Sequence, residues 1–379
     1  MANRRSLDPA DLLVGPRGRR MCLELARRAD DDVARAVFHV AHDLDPGVGT
    51  SRMTLGPGAG HRPTLRVANV ADAVARAVIP PLDEVTLIAA LDAAVAAATY
   101  WQQPDGEDVL AAAAPVRTAL RRIADAVAVA PGARWWATPM DATAQVRVEW
   151  VDPGPPAGSG TSPGSTPGSP EVADTDAAVD ARAALAMWRA DAVAQEETAA
   201  RERPTDPAAM WSALWWSTPP TTTPRTSRDL AGLGPVGLVL VEDTLGWERA
   251  TVTPAAVAPG ARVLEIDGPV AWAHLCRRHP LSVTASRRHD WFRATGLGDV
   301  GWVQPDWAAV ARDVDAVHVT VAGYLTTAGR AVTVDRGVAT VLAGWDPDAT
   351  YWLTGAPRPT DPGRPWAYDR TAHRWAPVA

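Results

Sequence analysis

The sequence predicts an α+β protein in successive parts: an N-terminal all-α bundle, a flexible linker and a C-terminal Trp-rich α+β domain. Three observations predict it. Apolar side chains recur at helical spacing through the first 130 residues, the stretch 152–170 is almost wholly Pro, Gly, Ser and Thr, and beyond Trp211 short β-branched runs are punctuated by brief helical stretches. The boundaries fall at 1–150 for the helical domain, 151–172 for the linker, 173–205 for a connecting helix and 206–379 for the α+β domain.

Taken in order, Asp8 before Pro9 reads as an N-cap with proline at the first helical position, and Asp30, Asp31 and Asp32 open a second helix with carboxylates at its N-terminal dipole. Val33, Val37, Val40 and Ala41 then fall on one face. A Gly/Pro-rich stretch over 45–63 interrupts before helical patterns at 83–100 and 107–129, the latter with Leu110, Val116, Leu120, Ile123 and Val127 as its buried stripe. Residues 146–150 alternate as a strand. The linker composition cannot bury a core. The segment 174–202 reads as one long polar helix with few large apolar residues. Strand-like runs follow at 236–241, 250–253, 262–267, 315–321, 331–335 and 338–342, with helices at 270–278 and 306–314. The string Trp135-Trp136-Ala137-Thr138-Pro139 is echoed by Trp215-Trp216-Ser217-Thr218-Pro219, which reads as two wedges of paired indoles ended by a Thr-Pro step.

Composition excludes several chemistries. All 37 residues counted as Lys plus Arg are arginine, so there can be no Schiff base, no pyridoxal aldimine and no Walker-type lysine. The pattern of abundant Ala, Arg, Gly, Pro and Val is that of a GC-rich coding sequence. A net charge of −7, spread along the chain, argues against indiscriminate nucleic-acid binding. Cys22 and Cys276 lie far apart without metal-ligand spacing, which fits a reducing cytosol. The three-residue apolar run at Leu12 is too short for a signal-peptide core, and the most apolar helix, around Ile88, carries Asp92 and is too short to span a membrane. Of 17 tryptophans, 12 lie between Trp211 and Trp375, so the excess belongs to the C-terminal part.

Most motif matches have bland readings. The glycines of 232–237 satisfy GxGxxG by letter, but a β-like run follows and no strand precedes, so they read as a turn. His39 and His42 share a helical face near Asp43 and Asp45, but no third distinct ligand accompanies them, and no metal site is expected. The region 274–293 is more informative. Arg277, Arg278 and His279 suit a helix C-terminus, whereas Arg287, Arg288 and His289 lie beyond Pro280. With Trp291 to stack on a ring, they form a candidate site for a phosphate or carboxylate. In 317–321, His318 and Thr320 share a strand face, and in 262–267 so do Glu265 and Asp267. Glu265, His318 and Tyr324, with Arg288 and His289, are one candidate catalytic set for an anionic nucleotide.

The residues Pro305-Asp306-Trp307, Asp315-Ala316-Val317-His318-Val319-Thr320, Gly323-Tyr324-Leu325, Gly344-Trp345-Asp346 and Thr350-Tyr351-Trp352-Leu353, together with Ser286-Arg287-Arg288-His289-Asp290-Trp291, resemble a family of uncharacterised proteins from high-GC actinobacteria. That resemblance covers about the last 150 residues and implies neither a fold nor catalytic residues. More loosely, His, Tyr and Glu on separate strands are similar to the arrangement with which ADP-ribosyltransferases hold NAD, although no ExE or Ser-Thr-Ser motif is present. The expectation is a cytosolic binding or interaction protein with an arginine-rich anion or nucleotide site, in contact with a protein partner or a phosphate-bearing small molecule. The alternative is an NAD-using transferase.

Overall fold

The computed structural model describes residues 7–47, 65–151, 181–212, 214–244 and 246–378. The expected linker lies outside them except for Val151, as do most of the 45–63 stretch and the start of the connecting helix. The architecture is α+β, with helices gathered in the N-terminal part and a sheet-rich C-terminal part.

Helices α1 (Pro9–Val14), α2 (Pro16–Ala29), α3 (Asp31–Leu44), α4 (Val67–Arg76), α5 (Glu84–Ala96), α6 (Gly106–Ala112) and α7 (Ala114–Val129) form the bundle. Aspartates start most of them. Asp8, Asp30, Asp83 and Asp105 each accept a hydrogen bond from a backbone N–H of the first turn, satisfying donors that the helix itself leaves open. The stripes of α3 and α7 read from the sequence are buried. A 3-10 turn, Pro131–Ala137, carries Trp135 and Trp136 edge to face, and Thr138 caps it on the Trp135 carbonyl. Trp215 and Trp216 repeat the edge-to-face pairing.

The chain continues through β1 (Gln145–Trp150), α8 (Ala181–Glu202), β2 (Arg225–Leu230), β3 (Gly234–Pro235), α9 (Val236–Val239), β4 (Arg249–Ala256) and β5 (Val263–Ile266). Next come α10 (Pro269–Arg278), β6 (Pro280–Ser282), α11 (Thr284–Thr295), β7 (Gly301–Pro305), α12 (Trp307–Asp313), β8 (Ala316–Val319) and α13 (Val321–Thr327). The last elements are β9 (Ala331–Asp335), β10 (Val338–Val341), β11 (Thr350–Trp352), β12 (Arg358–Pro359), β13 (Arg364–Asp369) and β14 (Arg374–Pro377). The larger sheet runs β14-β13-β4-β1-β2-β11-β8-β5, and the smaller β6-β7-β10-β9. Strand β1, which precedes the 152–180 segment, is hydrogen-bonded on both sides to strands that follow it, β4 and β2.

Local structure departs from the apolar pattern of the sequence in three places. The apolar run at 236–241 is one helical turn rather than a strand, because Gly237 turns to donate its N–H to Ser227 Oγ. Residues 321–327 are helical, started by Thr320, whose hydroxyl accepts from Gly323 N–H at 2.9 Å. Residues 284–295 form a helix that no apolar periodicity announces. Its buried positions include Arg287, His289 and Asp290, and its first N–H groups, on Ala285 and Ser286, are capped by the carboxylate of Glu196 from α8.

One apolar core runs from Leu7 to Leu353 and holds the fully buried Trp136, Trp272, Trp291, Trp302, Trp307 and Trp345. Trp272, Trp307 and Trp345 touch one another with ring centroids 5.8–6.3 Å apart. Each such indole removes roughly 150–250 Å² from water, about 4–6 kcal/mol as an upper bound. Much of the tryptophan excess is therefore core.

Candidate functional site

The structure separates the expected catalytic set. Glu265 and His318 are neighbours on β5 and β8, with His318 Nδ1 2.5 Å from Glu265 Oε2 and its Nε2 3.3 Å from Asp348 Oδ1. Arg228 completes the cluster, donating through its backbone N–H to Asp348 Oδ2 at 3.0 Å and through its guanidinium to Oδ1. His318 is wholly buried. Burial alone would lower its pKa, but the bonds to Asp348 and Glu265 and their charges push it up to about 9. An imidazolium with both nitrogens engaged is no base for a substrate. It ties β5, β8 and the loop before β11 together. Tyr324 is buried elsewhere, close to Glu242 and Tyr100, and burial followed by the Glu242 charge raises its phenol well above the usual range. These residues do not share a pocket with Arg288.

Of the expected anion-site residues, Arg287 is buried with its Nε unpartnered, and the other three are engaged within the chain. Trp291 is fully buried and donates its indole N–H to the Trp215 carbonyl at 2.7 Å, so no ring face is left for a ligand. Arg288 donates to the Pro204 carbonyl, and His289 Nδ1 stands 3.3 Å from the Pro207 carbonyl. Arg203, from the chain leaving α8, donates to the Ser286 carbonyl. The cluster fastens the segment after α8 to α11. Among the described residues no group of three or more His, Cys, Asp or Glu could hold a metal, and no helix is long and apolar enough to cross a membrane.

A different set of residues converges. Trp150 at the end of β1, Trp247 just before β4, Tyr368 on β13 and Trp375 on β14 line one cavity of about 620 Å³. Trp150 and Trp247 stack 5.1 Å apart at 12°, Trp375 lies 5.5 Å from Trp150, and Tyr368 meets Trp375 at 5.7 Å. Unlike the core indoles, all four are half-buried. Strand register produces the wall. Ala250 on β4 pairs with Trp150 on one side and Trp366 on the other, its methyl leaving room for both rings, and Tyr368 pairs directly with Trp375. Gly234, at φ +84°, forms part of the lining, and a Cβ there would meet the Trp366 ring at 3.0 Å.

The bundle supplies another part of the lining. Helix α5 buries Leu87, Leu91 and Val95 in the core and presents Ile88, Ala89 and Asp92 to the cavity. No hydrogen-bond donor or ion-pair partner within 4 Å meets the Asp92 carboxylate among the described residues. Burial pushes Asp92 up to about 6, partly offset by the more distant Arg28. Aromatic rings that share a cavity with a partly desolvated acceptor can hold a flat molecular face while Asp92 takes a hydrogen bond from its edge.

The sequence signals for this site were weak but present. Asp92 interrupts an otherwise apolar helix, and Trp366 and Tyr368 alternate. What brings Trp150, Trp247 and Trp375 together is strand pairing across 225 residues. No protein-family model, curated protein or solved structure matches the chain.

Proposed function

We propose that this protein binds a ring-bearing small molecule with a hydrogen-bond donor on its edge in the tryptophan-walled cavity. The observation that carries the reading is that the half-buried Trp150, Trp247, Tyr368 and Trp375 line one cavity with the partly desolvated Asp92. A volume of about 620 Å³ lies inside the range of roughly 300–1,000 Å³ typical of small-molecule sites, which favours such a ligand over a protein partner. Glu248 and Arg374 also line the cavity and offset each other in charge, which leaves Asp92 as the carboxylate that calls for a hydrogen-bond donor on the ligand. We further assign the protein to a reducing cytosol, a reading supported by Cys22 and Cys276, two buried free thiols.

The test is titration of the full chain, followed by intrinsic tryptophan fluorescence, with two panels of neutral compounds: planar heteroaromatics carrying an N–H edge, and pyranose sugars. Both present a ring face and a hydrogen-bond donor, and the panel that produces a saturable spectral shift identifies the class. Absence of any saturable change in both panels rejects the reading.

A further inference from the structure

A second cavity, of about 350 Å³, lies where the bundle meets the C-terminal part, and its wall is cationic. Arg17 and Arg19 from the first turns of α2 and Arg330 from the turn before β9 line it, with Asp108 as the carboxylate on the wall. Asp108 is already engaged. It pairs with Arg17 and also accepts from Arg20, itself held by Glu24, Asp105 and Glu107. Arg17 is spent on Asp108 and on the Ala94 carbonyl at 2.8 Å.

Arg19 and Arg330 have no such partner. Arg19 donates to the Leu13 and Val14 carbonyls at the end of α1, and Arg330 to the Thr326 carbonyl at a long 3.4 Å. Neither makes an ion pair with a carboxylate among the described residues. Part of each guanidinium fork is therefore uncommitted, and Nε of both Arg17 and Arg19 is buried without a hydrogen-bond partner. Burial lowers Arg19 to about 10, with the positive charges of Arg17, Arg117 and Arg330 working in the same direction against Asp108. Burial also lowers Arg330. Partly desolvated guanidiniums normally find an anion.

Thr99 and Gln102, also on the wall, add neutral hydrogen-bonding groups. In a chain without lysine, fixed cationic recognition falls to arginine, whose planar fork matches two oxygens of one oxyanion.

We infer that this cavity is an oxyanion site, seating the phosphate group of a small molecule between Arg19 and Arg330. It is separate from the tryptophan-walled cavity and stands or falls without it. Because its walls come from both parts of the chain, an occupant bridges them and stabilises the folded state.

The experiment titrates the full-length protein with inorganic phosphate at constant ionic strength. It uses calorimetry and thermal melts, with chloride as the ionic-strength control and acetate as a carboxylate arm. The expected result is saturable phosphate binding and a rising melting temperature, with chloride inert and acetate weaker. R330Q is expected to weaken phosphate binding by about tenfold or more, the scale of one charge-assisted contact. R19Q is expected to do the same, and R288Q to bind as the parent does. R330Q decides if R19Q, which also holds the end of α1, fails to fold. The inference is overturned if no saturable binding is seen up to about 10 mM phosphate, if folded R330Q binds undiminished, or if acetate binds as tightly as phosphate.

Discussion

Glu265 and His318 are register partners on adjacent parallel strands, and their side chains meet at 2.5 Å, with Asp348 on the far side of the imidazole. Asp348 adopts a left-handed backbone, φ +61°, at the point where it receives both Arg228 and His318. A charged network buried this deeply fixes the order of three segments, and removing one member strands the others.

Substitution of His318 by Gln removes the positive charge between two carboxylates. Urea denaturation is expected to show a loss of about 3–5 kcal/mol, the scale for breaking a buried pair. E265Q should cost less, because that side chain is 27% exposed. An H318Q protein within 1 kcal/mol of the parent would falsify the assigned role.

Stability is expected to fall as pH rises from 7 to 10. His318 has a folded pKa of about 9 against an unfolded value near 6.5, so its contribution is complete below pH 6.5 and disappears as pH passes 9. Glu242, buried and raised to about 8, is neutral in the folded state where the unfolded chain is already ionised. Its folded-state protonation therefore costs stability progressively between about pH 4.5 and 8. Both groups slope the same way. Denaturation midpoints measured at successive pH values should decline, and E242Q should flatten the segment below pH 8 while leaving the decline near 9.

The two populations of tryptophan should separate by phenotype. W375A removes a half-buried ring and is expected to weaken ligand binding by up to about tenfold with little change in melting temperature. W345A empties a core position and should cost about 3–5 kcal/mol. Fluorescence titration beside thermal melts reads both, and a W375A protein that binds like the parent removes the indole wall from the site.

Gly329 takes φ +72°, and a Cβ at that position would lie 2.2 Å from the Tyr100 ring. G329A therefore combines backbone strain of about 1–3 kcal/mol with a clash against a buried ring. A drop in unfolding free energy of at least that size is expected.

Much of the fold was legible where local chemistry decides it. Asp caps, the α7 stripe and the alternation of 146–150 act over a few residues, and each produced the expected element. Helix α11 was not legible, because its buried Arg287, His289 and Asp290 break helical hydrophobic periodicity, and Glu196, which caps it, lies about 90 residues away. Charge density in a sequence does not say whether backbone carbonyls already engage the side chains, as those of Pro204 and Pro207 engage Arg288 and His289 here. The tryptophan excess pointed to the C-terminal part, but which rings stay half wet depends on pairing between distant strands.

Strand β1 gives the chain an unusual divisibility. Its six residues sit between β4 and β2, yet they are joined to both only through the 152–180 segment. A protease cut in that segment would leave two polypeptides sharing one sheet, held by strand hydrogen bonds and the common core. A fragment beginning at α8 would instead carry a strand-wide slot with two open edges, a receptor for the missing sequence Gln145-Val146-Arg147-Val148-Glu149-Trp150. Since Trp150 arrives on the donated strand, reassembly would restore the indole wall along with the sheet.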